Sequence, residues 1–213
     1  TVPAKDEIDY TVVLGVNDEN INSNHNIISN ASCTTNCLAP MAKIIHENFG
    51  IVKGVINTIH AYTNDQRLAD VSHKDLRRSR AAAENIIPTS TGAARAVGKV
   101  LPELNGKLDG IASRVPVSDG SAVDLFVELE KDTIIDEFNS VVEAASKTDR
   151  LKNILEYSKY PIVSTDIIGN SKSSIYDPSG TNIINGRYLR VLNWYDNEWG
   201  YSNRVVDLVD LLN

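Results

Sequence analysis

The chain has 213 residues, 42% of them hydrophobic and 23% charged, which is typical of a globular protein with one large domain or one domain plus part of another. Its net charge of −7 argues against binding to nucleic acid or an anionic membrane through bulk charge. Two cysteines, no secretory signal and no apolar run of membrane-spanning length predict a cytoplasmic protein.

The first thirty residues predict a polar connector and a buried strand. Residues 3–7 are mostly polar, and residues 10–16 are β-branched and apolar over most of their length. A loop rich in Asn and Asp follows over 17–26, ahead of a short apolar run. The chain also begins abruptly, without an initiator Met, as expected of a piece of a longer protein.

The segment 30–37 reads Asn-Ala-Ser-Cys-Thr-Thr-Asn-Cys and leads into apolar residues at helical spacing. Cys33 therefore falls at the start of a helix, with Asn30 or Ser32 as its N-cap. Free N–H groups and the helix dipole at that position predict a lowered pKa for the thiol, and the thiolate is the nucleophile. Pro40 should bend this helix. Hydroxyl groups that surround the thiol are expected to hold a substrate's oxygen atoms: those of Ser32, Thr34 and Thr35.

Three structural interpretations of Cys33 and Cys37 compete with a nucleophile. A disulfide is poorly placed between residues four apart on one helix. A metal site needs two further Cys or His ligands, and the four histidines show no recognisable zinc spacing. Both thiols are otherwise buried packing groups, as free Cys often is. Cys37 is expected to be structural in every case.

The segment 54–62 predicts a strand that carries His60 near its end. A rigid strand end is a good platform for a catalytic base, and an imidazole beside a thiol activates it as a nucleophile. The alternative is a hydrogen-bonded structural histidine, which is common on strands. Whether His60 meets Cys33 is left open by the sequence.

The segment 62–82 predicts a long irregular loop, a kind usually found at functional sites or interfaces. Its basic cluster of Arg77, Arg78 and Arg80 indicates either a solvated loop with local salt bridges, or an anion site or subunit contact. Further along, Thr91 and Gly92 open a helix over 93–101, and such a terminus binds phosphate or is simply capped.

The rest of the chain alternates strands, turns and helices. Strands are predicted over 111–117, which has the pattern of a sheet edge, and over 122–130, 160–167, 174–176 and 188–195. Helices are predicted over 134–145, 151–157 and 202–212. Turns are predicted at 177–180 and, as a hairpin, at 185–186.

These motifs together resemble the glyceraldehyde-3-phosphate dehydrogenase family. Residues 31–40 are similar to its active-site signature, and the likeness, bacterial in character at 62–66, continues over 58–66, 89–94, 101–108 and 194–207. Family members begin with a nucleotide-binding domain that holds a glycine fingerprint, and this chain contains no Gly-x-Gly-x-x-Gly.

The resemblance implies an α/β fold whose α+β catalytic domain has a mixed, mostly antiparallel sheet with helices on one face. It implies a remnant of the NAD-binding Rossmann domain over 1–32, the catalytic domain over 33–198, and a C-terminal helix over 199–213 that packs on the NAD-binding domain. Because most of the nucleotide domain is absent, the chain alone is expected to be inactive.

The resemblance also implies roles for single residues. Cys33 would attack glyceraldehyde 3-phosphate, and His60 would take the proton. After hydride transfer to NAD, inorganic phosphate would cleave the thioester to 1,3-bisphosphoglycerate. The resemblance implies that Thr63 and Arg114 bind the phosphate of the substrate. It implies that the attacking phosphate is bound by Ser32, Thr34, Thr91 and Gly92. Asn197 and Tyr201 are implied to contact the nicotinamide end of the cofactor.

The resemblance implies no metal. It implies a homotetramer in which the loop 62–82 lines the cofactor site across a subunit interface. Ser72 departs from the pattern of NAD-specific members, so NADP is the alternative cofactor. The competing functions are an erythrose-4-phosphate dehydrogenase, a cofactor-independent hydrolase or acyl-transfer enzyme that uses Cys33 and His60, and a non-catalytic binding fragment.

Overall fold

A seven-stranded sheet forms the centre of the structure, a computed structural model that describes residues 7–212. The strands are β1 (Tyr10–Thr11), β2 (Ile28–Ser29), β3 (Ile51–Ala61), β4 (Ile87–Ser90), β5 (Leu108–Val115), β6 (Ser121–Leu129), β7 (Leu155–Tyr157), β8 (Ser174–Ile184) and β9 (Tyr188–Tyr195). The helices are α1 (Cys33–Phe49), α2 (Ala93–Val100), α3 (Ile135–Ser146) and α4 (Trp199–Leu212).

The central sheet has the strand order β4-β5-β3-β6-β9-β8-β7. Within it, β3 pairs in parallel with β5, and β7 with β8, while the other four pairings are antiparallel. Strands β1 and β2 form a separate parallel pair. The predicted fold class, a mixed and mostly antiparallel sheet with helices, is therefore confirmed.

Apolar side chains of α1, α2 and α3 cover one face of this sheet. Alternate residues of β6 and β9 point into the core that results, which also contains Leu38, Ile45 and Phe138. On β3 the alternation is clear, since Ile56 and His60 are buried whereas Val55 is exposed. The helices therefore lie on one face, and their packing buries the side of β3 that carries His60.

Helix α1 begins where the sequence predicts. The side chain of Ser32 is the N-cap and accepts a hydrogen bond from the backbone N–H of Thr35 at 3.1 Å. The helix then runs through Pro40 to Phe49 as one element. Cys33 is its first residue, so the thiol lies beside the N–H groups that a helix leaves unpaired.

The strand predicted over 10–16 is wrong beyond its first two residues. Val12 and Val13 are buried, but the chain turns immediately afterwards at Gly15, whose φ of +80° suits glycine. The Asn17 side chain accepts the N–H of Val13 at 2.8 Å and donates to the carbonyl of Thr11 at 3.0 Å. These bonds replace the strand partners that a longer β1 would need. Residues 1–6, including most of the predicted connector and the start of the predicted 1–32 unit, lie outside the described residues.

Four other predicted elements differ in the structure. The strand predicted at a sheet edge, β5, lies inside the sheet between β4 and β3. The helix predicted over 151–157 is a turn followed by β7, and the segment predicted as a strand over 160–167 forms no strand and ends in a 3₁₀ helix, Ser164–Ile167. The turn predicted at 177–180 is an irregularity within β8, where pairing with β9 shifts between Asp177 and Asn182. By contrast, the Asn185–Gly186 hairpin is confirmed, with both residues at positive φ.

Candidate active site

The structure brings together the two residues that the sequence offered as nucleophile and base. The Sγ atom of Cys33, at the start of α1, lies 3.6 Å from Nε2 of His60, near the end of β3. Helix and strand are both held by the main core, so the two side chains meet on rigid elements. This is the geometry of a thiol with a general base within reach.

The other ring nitrogen of His60 faces a carbonyl and a cation. Nδ1 lies 2.7 Å from the carbonyl oxygen of Ala61, and Nη1 of Arg114 lies 2.7 Å from Nδ1 and 3.0 Å from the same oxygen. We assign the Nδ1 proton to the bond with Ala61, whose carbonyl oxygen accepts from both Nδ1 and Nη1 of Arg114; the contact between these two nitrogens is then one between two donors and not a hydrogen bond. Nε2 then presents a lone pair to the thiol, as a proton acceptor must.

Burial dominates the electrostatics of this pair. It raises the pKa of the Cys33 thiol, an effect opposed by the N–H and hydroxyl of Thr34 and by the charge of Arg114. Burial, followed by the charge of Arg114, lowers the pKa of His60 to about 4, against the bond to Ala61. The lowered thiol pKa predicted from the helix start is therefore wrong for this geometry, because desolvation outweighs the local donors. Burial therefore favours the neutral form of both groups.

A cavity of about 750 Å³ opens over the thiol and the imidazole. Seven of the predicted site residues line it: Ser32, Cys33, His60, Thr63, Arg114, Asn197 and Tyr201. Three do not. The hydroxyl of Thr34 is buried and bonds to that of Tyr195 at 2.8 Å. Thr91 and Gly92 lie at the start of α2, where the Thr91 hydroxyl accepts the N–H of Ala93 at 3.2 Å.

The loop after β3 forms one wall of the cavity. Its Gln66 side chain accepts the backbone N–H of Thr63 at 3.0 Å, which fixes the Thr63 backbone near the mouth. Arg78 pairs with Asp65 and Asp75. In addition, Arg80 pairs with Asp70, so local salt bridges account for two of the three arginines in the predicted basic cluster.

The second thiol of α1 has a different environment. Cys37 is completely buried, and its Sγ lies 3.6 Å from the hydroxyl of Ser174. Burial raises the pKa of this thiol to about 12. Both cysteines are free thiols, and residues 7–212 contain no group of three or more potential metal-ligating side chains.

Two residues near the site were missed by the sequence interpretation. The ring of Tyr195 lies edge-on to that of His60, with centroids 5.8 Å apart. Ser121 is buried and bonds both to β3 and to Asn197. Tyr195 is the last residue of the strand predicted over 188–195, and Ser121 immediately precedes the strand predicted over 122–130, so the local pattern gave no indication of their partners.

Comparison with known proteins identifies the family. The model for "Glyceraldehyde 3-phosphate dehydrogenase, C-terminal domain" matches residues 32–197, more than three quarters of the chain. The chain belongs to the glyceraldehyde-3-phosphate dehydrogenase family. The matched range includes Cys33, His60, Arg114 and Asn197, so the resemblance seen in the sequence is confirmed.

Relatives named glyceraldehyde-3-phosphate dehydrogenase are similar along the whole chain. The protein of Borreliella burgdorferi is 62% identical over 213 residues, 100% of this chain and 63% of the relative. That of Streptomyces coelicolor is 60% identical over 209 residues, 98% of this chain and 62% of the relative. That of Mycobacterium tuberculosis is 58% identical over 212 residues, 100% and 62% respectively. The chain thus spans slightly less than two thirds of these relatives' length.

No helix among residues 7–212 combines the length and the apolar character that crossing a bilayer requires.

Proposed function

We propose that this chain supplies the catalytic half of an NAD-dependent, phosphorylating glyceraldehyde-3-phosphate dehydrogenase. The observation that carries the proposal is the contact of 3.6 Å between Cys33 Sγ and His60 Nε2, at the base of a cavity that Arg114 also lines. A thiol with a base in reach and a cation beside it suits covalent attack on an aldehyde that carries an anionic group.

In this mechanism Cys33 attacks the aldehyde carbon as His60 Nε2 takes the thiol proton. The imidazolium returns that proton to the carbonyl oxygen, giving a thiohemiacetal, and later removes it as the thioester forms. NAD, when bound, accepts the hydride that leaves the substrate carbon. Inorganic phosphate then attacks the thioester, and His60 reprotonates the departing thiolate of Cys33. Because burial raises the pKa of the Cys33 thiol and lowers that of His60, His60 is assigned as the general base.

Anion binding is assigned to two groups of residues. Arg114 and Thr63, both on the cavity wall, would hold the phosphate of the substrate. The attacking phosphate would bind near Ser32, which lines the cavity, and near Thr34, Thr91 and Gly92, which do not. Arg114 is partly buried and close to a ring nitrogen, so its charge is little screened and suits a phosphate group.

The cofactor end of the cavity contains an amide and an aromatic ring. Asn197 and Tyr201 line the same cavity as Cys33, and both fit the carboxamide and the ring of a nicotinamide. Ser72 lies in the exposed loop after β3 and does not line this cavity. We infer NAD as the cofactor, with NADP as the alternative that a direct comparison of the two cofactors would decide.

We infer that a nucleotide-binding domain completes the site, with residues 1–32 as its remnant, 33–198 as the catalytic domain and 199–213 as the helix that docks on it. A second cavity of about 890 Å³ supports this inference, because α4 and the segment 21–30 line it with several exposed apolar residues. The purified 213-residue chain should therefore show no dehydrogenase turnover.

We also infer a cytoplasmic homotetramer. The sheet face opposite the helices exposes large apolar side chains, among them Val55, Ile111, Phe126 and Tyr188. A soluble monomer rarely leaves such a face uncovered. Sedimentation velocity of the full-length protein tests this assembly.

The deciding experiment follows NADH formation by the full-length protein with and without inorganic phosphate. A stoichiometric burst without phosphate, followed by sustained turnover once phosphate is added, is expected. Thioester hydrolysis that needs no cofactor, with no NADH, would instead support a hydrolase. A higher kcat/KM for erythrose 4-phosphate than for glyceraldehyde 3-phosphate would assign the alternative dehydrogenase.

A further inference from the structure

A buried serine connects the catalytic strand to the residue assigned to the cofactor. The backbone N–H of Ala61, next to His60, donates to Oγ of Ser121 at 3.1 Å. The Ser121 hydroxyl in turn donates to Oδ1 of Asn197 at 2.7 Å. Ser121 and Asn197 are only 1% and 5% exposed, so little water competes for these bonds.

These two bonds determine which end of the Asn197 amide faces the ligand. The Ser121 hydroxyl accepts the N–H of Ala61 and donates its single proton to Oδ1 of Asn197. Asn197 Oδ1 is thereby committed to Ser121, which leaves the Nδ2 group turned away from it. Nδ2 lies 3.5 Å from Oε1 of Glu198, at the outer limit of a hydrogen bond, so this donor has capacity for a ligand.

We propose that Ser121 is a positioning residue that holds Asn197 with its amide N–H groups toward the cavity, so that the site selects a carbonyl oxygen on the ligand. The proposal rests on the proposed function, in which Asn197 contacts the nicotinamide carboxamide. It adds that the carbonyl, and not the NH₂ group, of that carboxamide is the part recognised by Asn197. An analogue with an acetyl group in place of the carboxamide would keep this contact.

The experiment measures the Kd of NAD and of its 3-acetylpyridine analogue by calorimetry on the full-length protein. The variants are S121A, N197A, the double variant S121A/N197A, and S121C, which retains a weak donor. We expect N197A to weaken NAD binding about tenfold and S121A about fivefold, in line with the loss of one hydrogen bond. The double variant should bind no more weakly than N197A, and S121C should recover part of the loss.

S174A is the matched control. Ser174 is likewise buried and accepts a hydrogen bond from an asparagine amide, that of Asn193, at 2.8 Å, but Asn193, unlike Asn197, does not line the catalytic cavity. This variant should lose stability without a selective change in the Kd of NAD. The native protein should bind the acetyl analogue about as tightly as NAD.

Three results would overturn the proposal. Unchanged NAD affinity in S121A, with N197A weakened, rejects the positioning role alone. Additive losses in the double variant show that Ser121 acts through β3 and not through Asn197. Unchanged affinity in N197A rejects the cofactor assignment of Asn197 itself, and the positioning role with it.

Discussion

The two thiols of α1 lie one helical turn apart and have opposite properties. Cys33 faces a cavity and lies 3.6 Å from an imidazole nitrogen, whereas Cys37 is completely buried beside Ser174. Burial raises the pKa of both thiols, and that of Cys37 reaches about 12. Position on a helix therefore does not make a thiol reactive. In the proposed mechanism, access to the cavity and a neighbouring base distinguish Cys33, and β3 supplies that base.

The largest effect should separate the two thiols directly. Cys33→Ala removes the nucleophile, so kcat/KM of the full-length protein should fall by at least about 10³-fold. Cys37→Ala leaves the cavity unchanged and should keep nearly native activity, with a modest loss of stability from the small void. Steady-state assays of both variants make the comparison. Equal losses of activity would show that Cys37 also belongs to the catalytic machinery.

The next effect concerns the base. His60→Gln keeps a polar side chain on β3 but removes the proton acceptor, so kcat should fall by at least about 10²-fold. The KM for substrate should change less, because Arg114 and Thr63 are unaltered. Separate measurement of kcat and KM tests whether the substitution affects mainly the chemical step or substrate binding. A His60→Gln variant with native kcat would exclude His60 as the base.

The pH dependence of alkylation then tests the raised thiol pKa. In the folded protein, iodoacetamide should modify Cys33 at a rate that rises about tenfold for each pH unit up to at least pH 8, since the thiolate is the reactive form. Cys37 should stay unmodified throughout. Mass spectrometry of the two peptides gives both rates. A rate for Cys33 that is already maximal near pH 6 would contradict the raised pKa and support the lowered pKa that the helix terminus predicts.

The smallest effect is on acid stability. The pKa of His60 in the folded state is about 4, below its ordinary value of 6.5, so the folded protein resists protonation of this ring. The stability that depends on neutral His60 is present above pH 6.5 and is lost as the pH falls toward 4. From pH 7 to pH 5 the loss is about 2 kcal/mol. Urea midpoints at the two pH values should show a smaller decrease in His60→Gln than in the native protein. Equal decreases would contradict the lowered pKa.

Local sequence predicted the elements that carry the chemistry. The Ser32 cap, the start of α1 and strand β3 with His60 near its end are all present as expected. The exact bounds of β9 and the Asn185–Gly186 hairpin were also predicted. These features depend on caps, alternation and turn residues, which act over a few positions.

Features that depend on residues distant in the sequence were predicted poorly. The strand over 10–16 ends early because the Asn17 side chain takes its hydrogen bonds, and β5 lies inside the sheet because β4 pairs outside it. The direction of the Cys33 pKa shift was wrong for the same reason. The helix terminus is visible in the sequence, but the burial that outweighs it comes from packing.

By itself, the sequence determined the family, the helix that starts at Cys33 and the strand that carries His60, because signature residues, caps and hydrophobic periodicity depend on residues that are close together in the chain. The tertiary structure alone decided that Cys33 meets His60, that Arg114 lies against the far nitrogen of the imidazole, and that Ser121 holds Asn197. These contacts join residues 27 to 76 positions apart. Their distances depend on how α1, β3, β5 and β6 pack, and the same packing desolvates the thiol and the imidazole and so shifts their pKa values.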